Sequence, residues 1–381
     1  DGHAYDAQVE TTSGPVRLQL AGDLPVGFDN GAVVRVSGKQ IAPGALAFDG
    51  GTGSGQVIAT APGFATPRRL AVALVNFSDN SSKPFSRAFA DKIVFTAANS
   101  VRAYYLEESQ GMMSISGTTF DWLRIPKAST SCDWQGWEDA ARAGLAARGV
   151  DLSAYTNLVL MFPPTAACHW RGLGWMPGST AWINGTPYMR VVAHELGHNM
   201  GIHHAQTLRC SAAGVRVALG THCSTTEYGD PFTTMGASMT RHMHNLELAQ
   251  LGFLPVTAAR TVVSSGRYSL TQASGSTGIR IIAIPRGDGT SLYLEYRRPY
   301  GTSFDNFSST DPVVRGVTIR IGGGWRQITQ SQLIDTRPST KTFADAPLRV
   351  GYSFRDGRSG IVIKVLAIDR GSSVVKITMP G

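Results

Sequence analysis

The residues best suited to chemistry lie in one short run, Val191–Ala205, which reads VVAHELGHNMGIHHA. His194 and His198 are four apart, so a helix projects both imidazoles from one face toward a single metal ion. Glu195 stands beside the first histidine, where its carboxylate can reach a metal-bound water without occupying the metal. Gly201 accepts the positive φ that a sharp break from a helix requires, and His204 then returns as the third ligand. Three neutral nitrogens leave a fourth position open, the arrangement of a catalytic rather than a structural zinc site. A bare HExxH arises by chance in roughly one such sequence in a hundred, and the longer HExxHxxGxxH in about one in 10^5. Only the longer form is specific. His203 neighbours His204, but the spacing selects His204 and leaves His203 at the rim.

HELGHNMGIHH resembles the zinc motif of the metzincin metallopeptidases, and TTMGAS (Thr233–Ser238) resembles their Met-turn. The context EYGDPFTTMG (Glu227–Gly236) is similar to the gametolysin-like branch, as are YYLEESQG (Tyr104–Gly111), AWING (Ala181–Gly185) and LGFL (Leu251–Leu254). The resemblance covers about residues 68–255, and 290–380 more weakly through YLEYR (Tyr293–Arg297). It implies that Met235 is the hydrophobic base beneath the imidazoles, with Met239 as a competing candidate. It implies zinc as the one catalytic metal, and Glu195 as the base that takes a proton from zinc-bound water and delivers it to the leaving amine. It further implies an extended substrate along an edge strand near Ser179–Asn184, with Ser179, Thr180, Ala181 and Trp182 in contact. Ala237 stands where some metzincins carry a tyrosine that reaches the metal, so that role has no owner at this position.

These side chains need a frame. Leu70–Phe77 and Asn157–Phe162 are continuously apolar and read as buried strands, and Met113–Ile125 also has strand character. Phe85–Glu108 carries helical periodicity in two pieces, Trp137–Arg148 reads as a helix ending at Gly149, and Thr240–Leu251 as another. Residues 1–60 read as short strands (Val16–Leu20, Ala32–Val36, Gln56–Ala59), with the GGTGSG run Gly50–Gly55 a flexible connection and Pro62–Arg69 a linker. From Thr261 onward, short alternating segments such as Leu292–Tyr296, Val317–Ile321 and Val374–Met379 indicate an all-β region. The expected fold is therefore α+β: a metzincin-like catalytic domain over 68–258, a twisted mixed sheet with the zinc-binding active-site helix. A small N-terminal β domain (1–60, accessory or a retained pro-region) and a C-terminal sandwich-like β domain (261–381) flank it.

Composition bounds the rest. The 381 residues carry a net charge of +8, which favours acidic surfaces or substrates, but the arginines are dispersed, which argues against nucleic acid. No window is apolar enough for a membrane helix. The start at Asp1 without Met or leader suggests a processed or trimmed chain. Cys132, Cys168, Cys210 and Cys223 form no CxxC pair and read as two disulfides; Cys132–Cys168 with Cys210–Cys223 closes the shortest loops, though three pairings are open. Disulfides place the protein outside the reducing cytosol, and leave no obvious free thiol for a cysteine-switch latency. Asp305 and Asp311 flank a polar loop that could take Ca2+, without a motif to support it. His242 and His244 are expected in surface or helix-packing roles, with a specificity-pocket role as the alternative. The reading is a secreted, monomeric zinc endopeptidase acting on extracellular proteins, acidic, cell-wall or matrix proteins among them. The alternative is a binding or adhesion module with an inactive or latent metalloprotease domain.

Overall fold

The computed structural model describes residues 6–11, 14–20, 33–42, 45–48, 55–59, 67–237, 241–299, 304–324 and 329–380. The chain divides into two compact units, Asp1–Phe64 and Ala65–Gly381. The first is built from β1 (Asp6–Thr11), β2 (Gly14–Leu20), β3 (Val33–Val36), β4 (Lys39–Ala42), β5 (Ala45–Phe48) and β6 (Gly55–Ala59). Four of these form a sheet in the order β1-β2-β5-β4, and β3 pairs with β6. The strands expected at Val16–Leu20, Ala32–Val36 and Gln56–Ala59 fall on β2, β3 and β6. Residues 50–54 of the glycine-rich run and 62–66 of the expected linker lie outside the described residues.

The second unit opens with β7 (Arg68–Asn76), whose residues from Leu70 to Asn76 are all buried. Each leucine or valine hidden there contributes about 1.5–3 kcal/mol, which makes so apolar a strand the natural centre of a sheet. It pairs in parallel with β8 (Ile115–Arg124) on one side and β9 (Asn157–Phe162) on the other. Beyond β9 come parallel β11 (Thr180–Asn184) and antiparallel β10 (Gly172–Gly174), giving a five-stranded mixed sheet in the order β10-β11-β9-β7-β8. The helical stretch after β7 does come in two pieces, α1 (Arg87–Asp91) running into a π-type turn and α2 (Val101–Glu108). The helix α3 (Trp134–Ala147) starts where Asp133 accepts the Gly136 N–H at 3.1 Å. It buries Trp137, Ala141 and Leu145, one stripe at a spacing of four, against the sheet core with Phe77 and Phe162.

The HELGH segment forms α4 (Met189–Asn199), which packs against β10, β11 and α2. Asn199 pins its end, donating to the carbonyls of Thr180 (2.9 Å) and Trp175 (3.0 Å) while accepting from Asn157 (3.0 Å). After the metal loop the chain enters β12 (Ala205–Ala212), flanked by β13 (Val215–Val217) and β14 (His222–Thr226). The helix expected at Thr240–Leu251 is the shorter α5 (Asn245–Gln250), which starts where the His244 ring accepts the Glu247 N–H at 3.2 Å.

The remainder is all strand: β15 (Ala259–Thr261), β16 (Gly266–Thr271), β17 (Ile281–Pro285), β18 (Ser291–Tyr296), β19 (Gly316–Gly322), β20 (Ser331–Ile334), β21 (Leu348–Arg349), β22 (Ser353–Arg355), β23 (Val362–Ile368) and β24 (Ser372–Thr378). One sheet runs β13-β12-β20-β19-β18-β17-β15, with β14 on β12 and β21 on β19, and a second runs β16-β24-β23-β22. Leu294, Ile319 and Ile284 of the first share a core with Leu270, Ile363 and Val375 of the second. Because β12 pairs in parallel with β20, the chain leaving the metal loop is hydrogen-bonded directly into the C-terminal strands. Disulfides join Cys132 to Cys168 and Cys210 to Cys223. The second links facing residues of β12 and β14. The fold is thus mixed α+β, with several sheets and few helices.

Candidate metal centre

The three histidines of the motif come together. One ring nitrogen from each of His194, His198 and His204 lies within 4.8 Å of the others, whereas His203 stands outside this group. Gly201 turns the chain at φ +89°, which lets His204 come back over the end of α4. The other nitrogen of each ring is already committed. His194 Nδ1 donates to the Thr234 carbonyl at 2.9 Å, His198 Nδ1 to the Ile202 carbonyl at 2.7 Å, and His204 Nδ1 to Glu227 Oε1 at 2.7 Å. A carbonyl or carboxylate only accepts, so the proton sits on Nδ1 and each Nε2 presents a lone pair.

Two of those lone pairs, on His198 and His204, face each other with their nitrogens 2.9 Å apart. Neutral rings placed so repel unless a cation lies among them. Zinc bonded to nitrogen at about 2.0–2.1 Å in a tetrahedron needs nitrogens about 3.3 Å apart, close to this separation. The donor set therefore fits zinc: three neutral imidazole nitrogens, held by outer partners, with no carboxylate among them. Burial favours the same state. It pushes His194 down to about 3, aided by the charges of His198 and His204, and His198 down to about 4, aided by His204.

Glu195 follows His194 on α4 and is 5% exposed. Burial raises its carboxyl to about 8, against the pull of Arg190. Its surroundings are made by the backbone of β10. A Cβ on Gly172 would run into Glu195 Oε1 and Val191, and a Cβ on Gly174 would lie 2.7 Å from the Glu195 carbonyl and 3.1 Å from His198 Cβ. Both glycines are needed for the strand to pass this close to the helix.

Met235 is fully buried beneath α4. A Cβ on Gly197, between the two helical histidines, would lie 2.6 Å from Met235 Sδ. The thioether thus packs under the helix turn that carries the ligands. Its carbonyl accepts the Ala205 N–H at 3.0 Å, and Asp230 N–H donates to the Ala205 carbonyl at 3.2 Å, tying this turn to the residue after His204. Met239, the competing candidate, lies outside the described residues.

Buried ions hold the Met235 turn from behind. Arg297, at the end of β18, donates to the carbonyls of Phe232 (2.6 Å), Met243 (2.7 Å) and His242 (3.1 Å), and pairs with Glu295 (2.7 Å) and Asp305 (3.1 Å). Arg320 of β19 pairs with Asp230 at 2.8 Å. Glu247 accepts from the Thr233 hydroxyl at 2.6 Å and the His244 N–H at 2.9 Å. Glu108 of α2 accepts the Met243 N–H at 2.6 Å. His242 lies 2.7 Å from Glu107 and 3.5 Å from Asp305. Burial alone would lower its pKa, but Glu108, Asp305 and Glu107 raise it to about 10. His242 and His244 are therefore packing residues, and Asp305 is spent on Arg297 and His242. Asp311 accepts the Ser308 N–H at 2.8 Å within its own loop.

Sequence reading did not find Glu227, Tyr228 or the two glycines of β10. Tyr228 takes a positive φ of 57°, and its ring centroid lies 3.7 Å from that of His204 and 5.7 Å from that of His194. The run EYGDPFTTMG contains both Glu227 and Tyr228, but no helical or strand period links Glu227 to a histidine 23 residues earlier.

One expectation needs correction. The strand at Ser179–Asn184 is not an edge, because β10 covers its outer side through Gly172↔Ile183, Leu173↔Trp182 and Gly174↔Ala181. Thr180, Ala181 and Trp182 are buried. Trp182 donates to the Trp134 carbonyl at 2.9 Å and Thr180 to Glu138 at 2.7 Å, while the Ser179 carbonyl accepts from Leu158 at 2.8 Å. A Gly-Leu-Gly strand of three residues carries no alternation or β-branched signal, so its presence is invisible in the sequence.

Comparison with known proteins agrees with the motif. Residues 92–265 match the family model described as gametolysin peptidase M11. No curated protein matches the chain. Among solved structures, archaemetzincin from Methanopyrus kandleri is similar at 15% identity, covering 36% of this chain and 76% of its own, with a TM-score of 0.23. OgpA from Akkermansia muciniphila is similar at 10% identity, covering 70% of this chain and 91% of its own, with a TM-score of 0.32. Scores this low carry no weight for fold or function. The family match spans the three imidazoles, Glu195 and Met235.

Proposed function

We propose that the protein is a secreted, zinc-dependent endopeptidase that hydrolyses peptide bonds of extracellular proteins. The observation that carries this reading is the set of three imidazoles whose Nδ1 protons are all given away, leaving three Nε2 lone pairs aimed at one point beside Glu195. His194, His198 and His204 would hold the zinc, which when bound polarises a carbonyl and makes water acidic near neutrality. Glu195, buried next to His194, accepts the proton of the attacking water and returns it to the leaving amine. Burial raises its pKa, and a positive charge at the three imidazoles would oppose that rise and favour the ionised base. Met235 supports α4 from below, and Glu227 fixes the His204 ring. The substrate chain would lie extended beside β10, the strand that passes Glu195.

The disulfides and the absence of any described helix long and apolar enough to cross a membrane support a secreted setting. In this reading 68–258 is the catalytic domain, 261–381 positions it on substrates, and 1–60 is an accessory or pro-region. The protein works as a monomer on protein substrates. The test is cleavage of a denatured protein mixture with and without a zinc chelator, alongside metal analysis. We expect about one zinc per chain, cleavage abolished by chelation, and a Glu195→Ala variant that keeps zinc and fold but loses 10^2–10^4-fold in rate, roughly the worth of a general base. Near-full activity in that variant would sink the mechanism.

A further inference from the structure

Several arginines of the C-terminal region have a carboxylate partner: Arg286 with Asp356 (2.7 Å), Arg297 with Asp305 (3.1 Å), Arg320 with Asp230 (2.8 Å) and Arg337 with Asp345 (3.3 Å). Three of the arginines without one lie together. Arg298, Arg315 and Arg370 line one cleft of about 470 Å³, formed where the chain leaves β18, enters β19, leaves β21 and turns from β23 to β24. None of the three is within ion-pairing distance of a carboxylate among the described residues. Arg315 Nε donates to the Ser309 carbonyl at 2.9 Å, and Arg298 has the Tyr296 hydroxyl at 3.4 Å. The single acid among the described residues of the cleft, Asp369, is occupied in its own turn by Gly371 N–H (2.9 Å), Ser372 N–H (2.7 Å) and the Ser372 hydroxyl. The cleft thus has two charges in excess, three guanidinium groups against one carboxylate. Its size is in the range of sites that enclose a ligand, roughly 300–1,000 Å³.

Between the arginines the lining is aliphatic: Val314, Val350, Ile368 and Pro299. Among the described residues the lining holds no aromatic ring. Guanidinium groups match carboxylates as planar forks, and aliphatic walls match an aliphatic side chain. We propose that this cleft binds an acidic peptide segment, an aliphatic side chain on its floor with flanking Asp or Glu carboxylates on Arg298, Arg315 and Arg370, and so docks acidic protein substrates. The proposal rests on the endopeptidase reading and gives it a substrate class. It uses none of the residues of the metal centre.

The test is fluorescence anisotropy with the full chain carrying Glu195→Ala, so that binding is read without cleavage. The probe is a labelled peptide with a central Leu-Val pair flanked by Glu and Asp, and the controls are its Gln/Asn analogue and a sulfated oligosaccharide. We expect the acidic peptide to bind in a salt-sensitive way, the amide analogue to bind at least tenfold more weakly, and Arg315→Glu with Arg370→Glu to lower affinity at least tenfold. Both side chains are exposed, so an unchanged melting temperature checks that the variant folds. Equal binding by the variant, tighter binding of the sulfated oligosaccharide, or no binding of the peptide overturns the proposal. Failure of the endopeptidase reading appears instead in the cleavage assay, which leaves the anisotropy result standing.

Discussion

Two clusters of titratable groups lie on either side of the Met235 turn, and they are built on opposite plans. Behind it, Arg297, Arg320, Glu295, Asp305, Asp230 and His242 are buried with opposite charges in contact, and the arginine donors also reach backbone carbonyls. In front of it, His194 and His198 are nearly as enclosed and His204 is half-buried, yet like meets like: the lone pairs of His198 and His204 face across 2.9 Å. The first cluster is complete in itself and holds the turn's shape. The second is complete only with a cation. Burial and shifted pKa values occur in both, so neither marks function here; the unmatched acceptors do.

Breaking the open cluster should have the largest effect. His204→Ala should remove stable zinc binding and with it activity, while His203→Ala, one residue away, should leave metal content near one per chain. Equal loss of zinc in both would show that the register of the third ligand is wrong. In the closed cluster, Arg297→Met should cost about 3–5 kcal/mol, because Glu295 and Asp305 are left buried without their partner. Thermal unfolding of the zinc-loaded protein reads this directly. Little change in melting temperature would mean that the network is dispensable to the turn.

A finer test moves Glu195 without touching a ligand. Gly172→Ala puts a methyl group where Glu195 Oε1 lies. Turnover should fall about 10–100-fold while zinc content stays the same, a loss expected when a catalytic group is displaced by about an ångström. Unaltered kinetics would mean that β10 yields easily. The smallest effect concerns pH. The His242 pKa is raised from about 6.5 to about 10 in the fold, so its charge stabilises fully below pH 6.5, and that contribution is lost as pH rises through 10. The stability advantage of the wild type over His242→Gln should therefore be greatest at acidic pH and shrink toward pH 10. A gap that widens with pH would reverse the assignment.

Of the fold, the sequence showed the parts whose signal is local. Leu70–Val75 and Leu158–Phe162 are apolar throughout because both faces of the sheet are covered, and that continuity is readable without a structure. The helix after Asp133 announced itself through its buried stripe. The helix at Asn245–Gln250 came out shorter than its pattern, because His242 and Met243 give their backbone groups to Asp305, Glu108 and Arg297 instead of to a helix. The three-residue strand at Gly172–Gly174 left no trace at all, and with it the true edge beside Glu195 was missed.

What the sequence alone determined is the grouping of the proposed ligands and the proposed base. His194, Glu195, His198, Gly201 and His204 lie within eleven residues, and the helix period with one glycine break is enough to bring them to a point. What only the tertiary structure decided is what makes those rings usable. Thr234 and Glu227 set the tautomers of His194 and His204 from 40 and 23 residues away, Gly172 and Gly174 shape the space around Glu195, and Arg297 steadies the turn under α4. These contacts follow from how strands and turns pack together, and no short-range period in the chain encodes them.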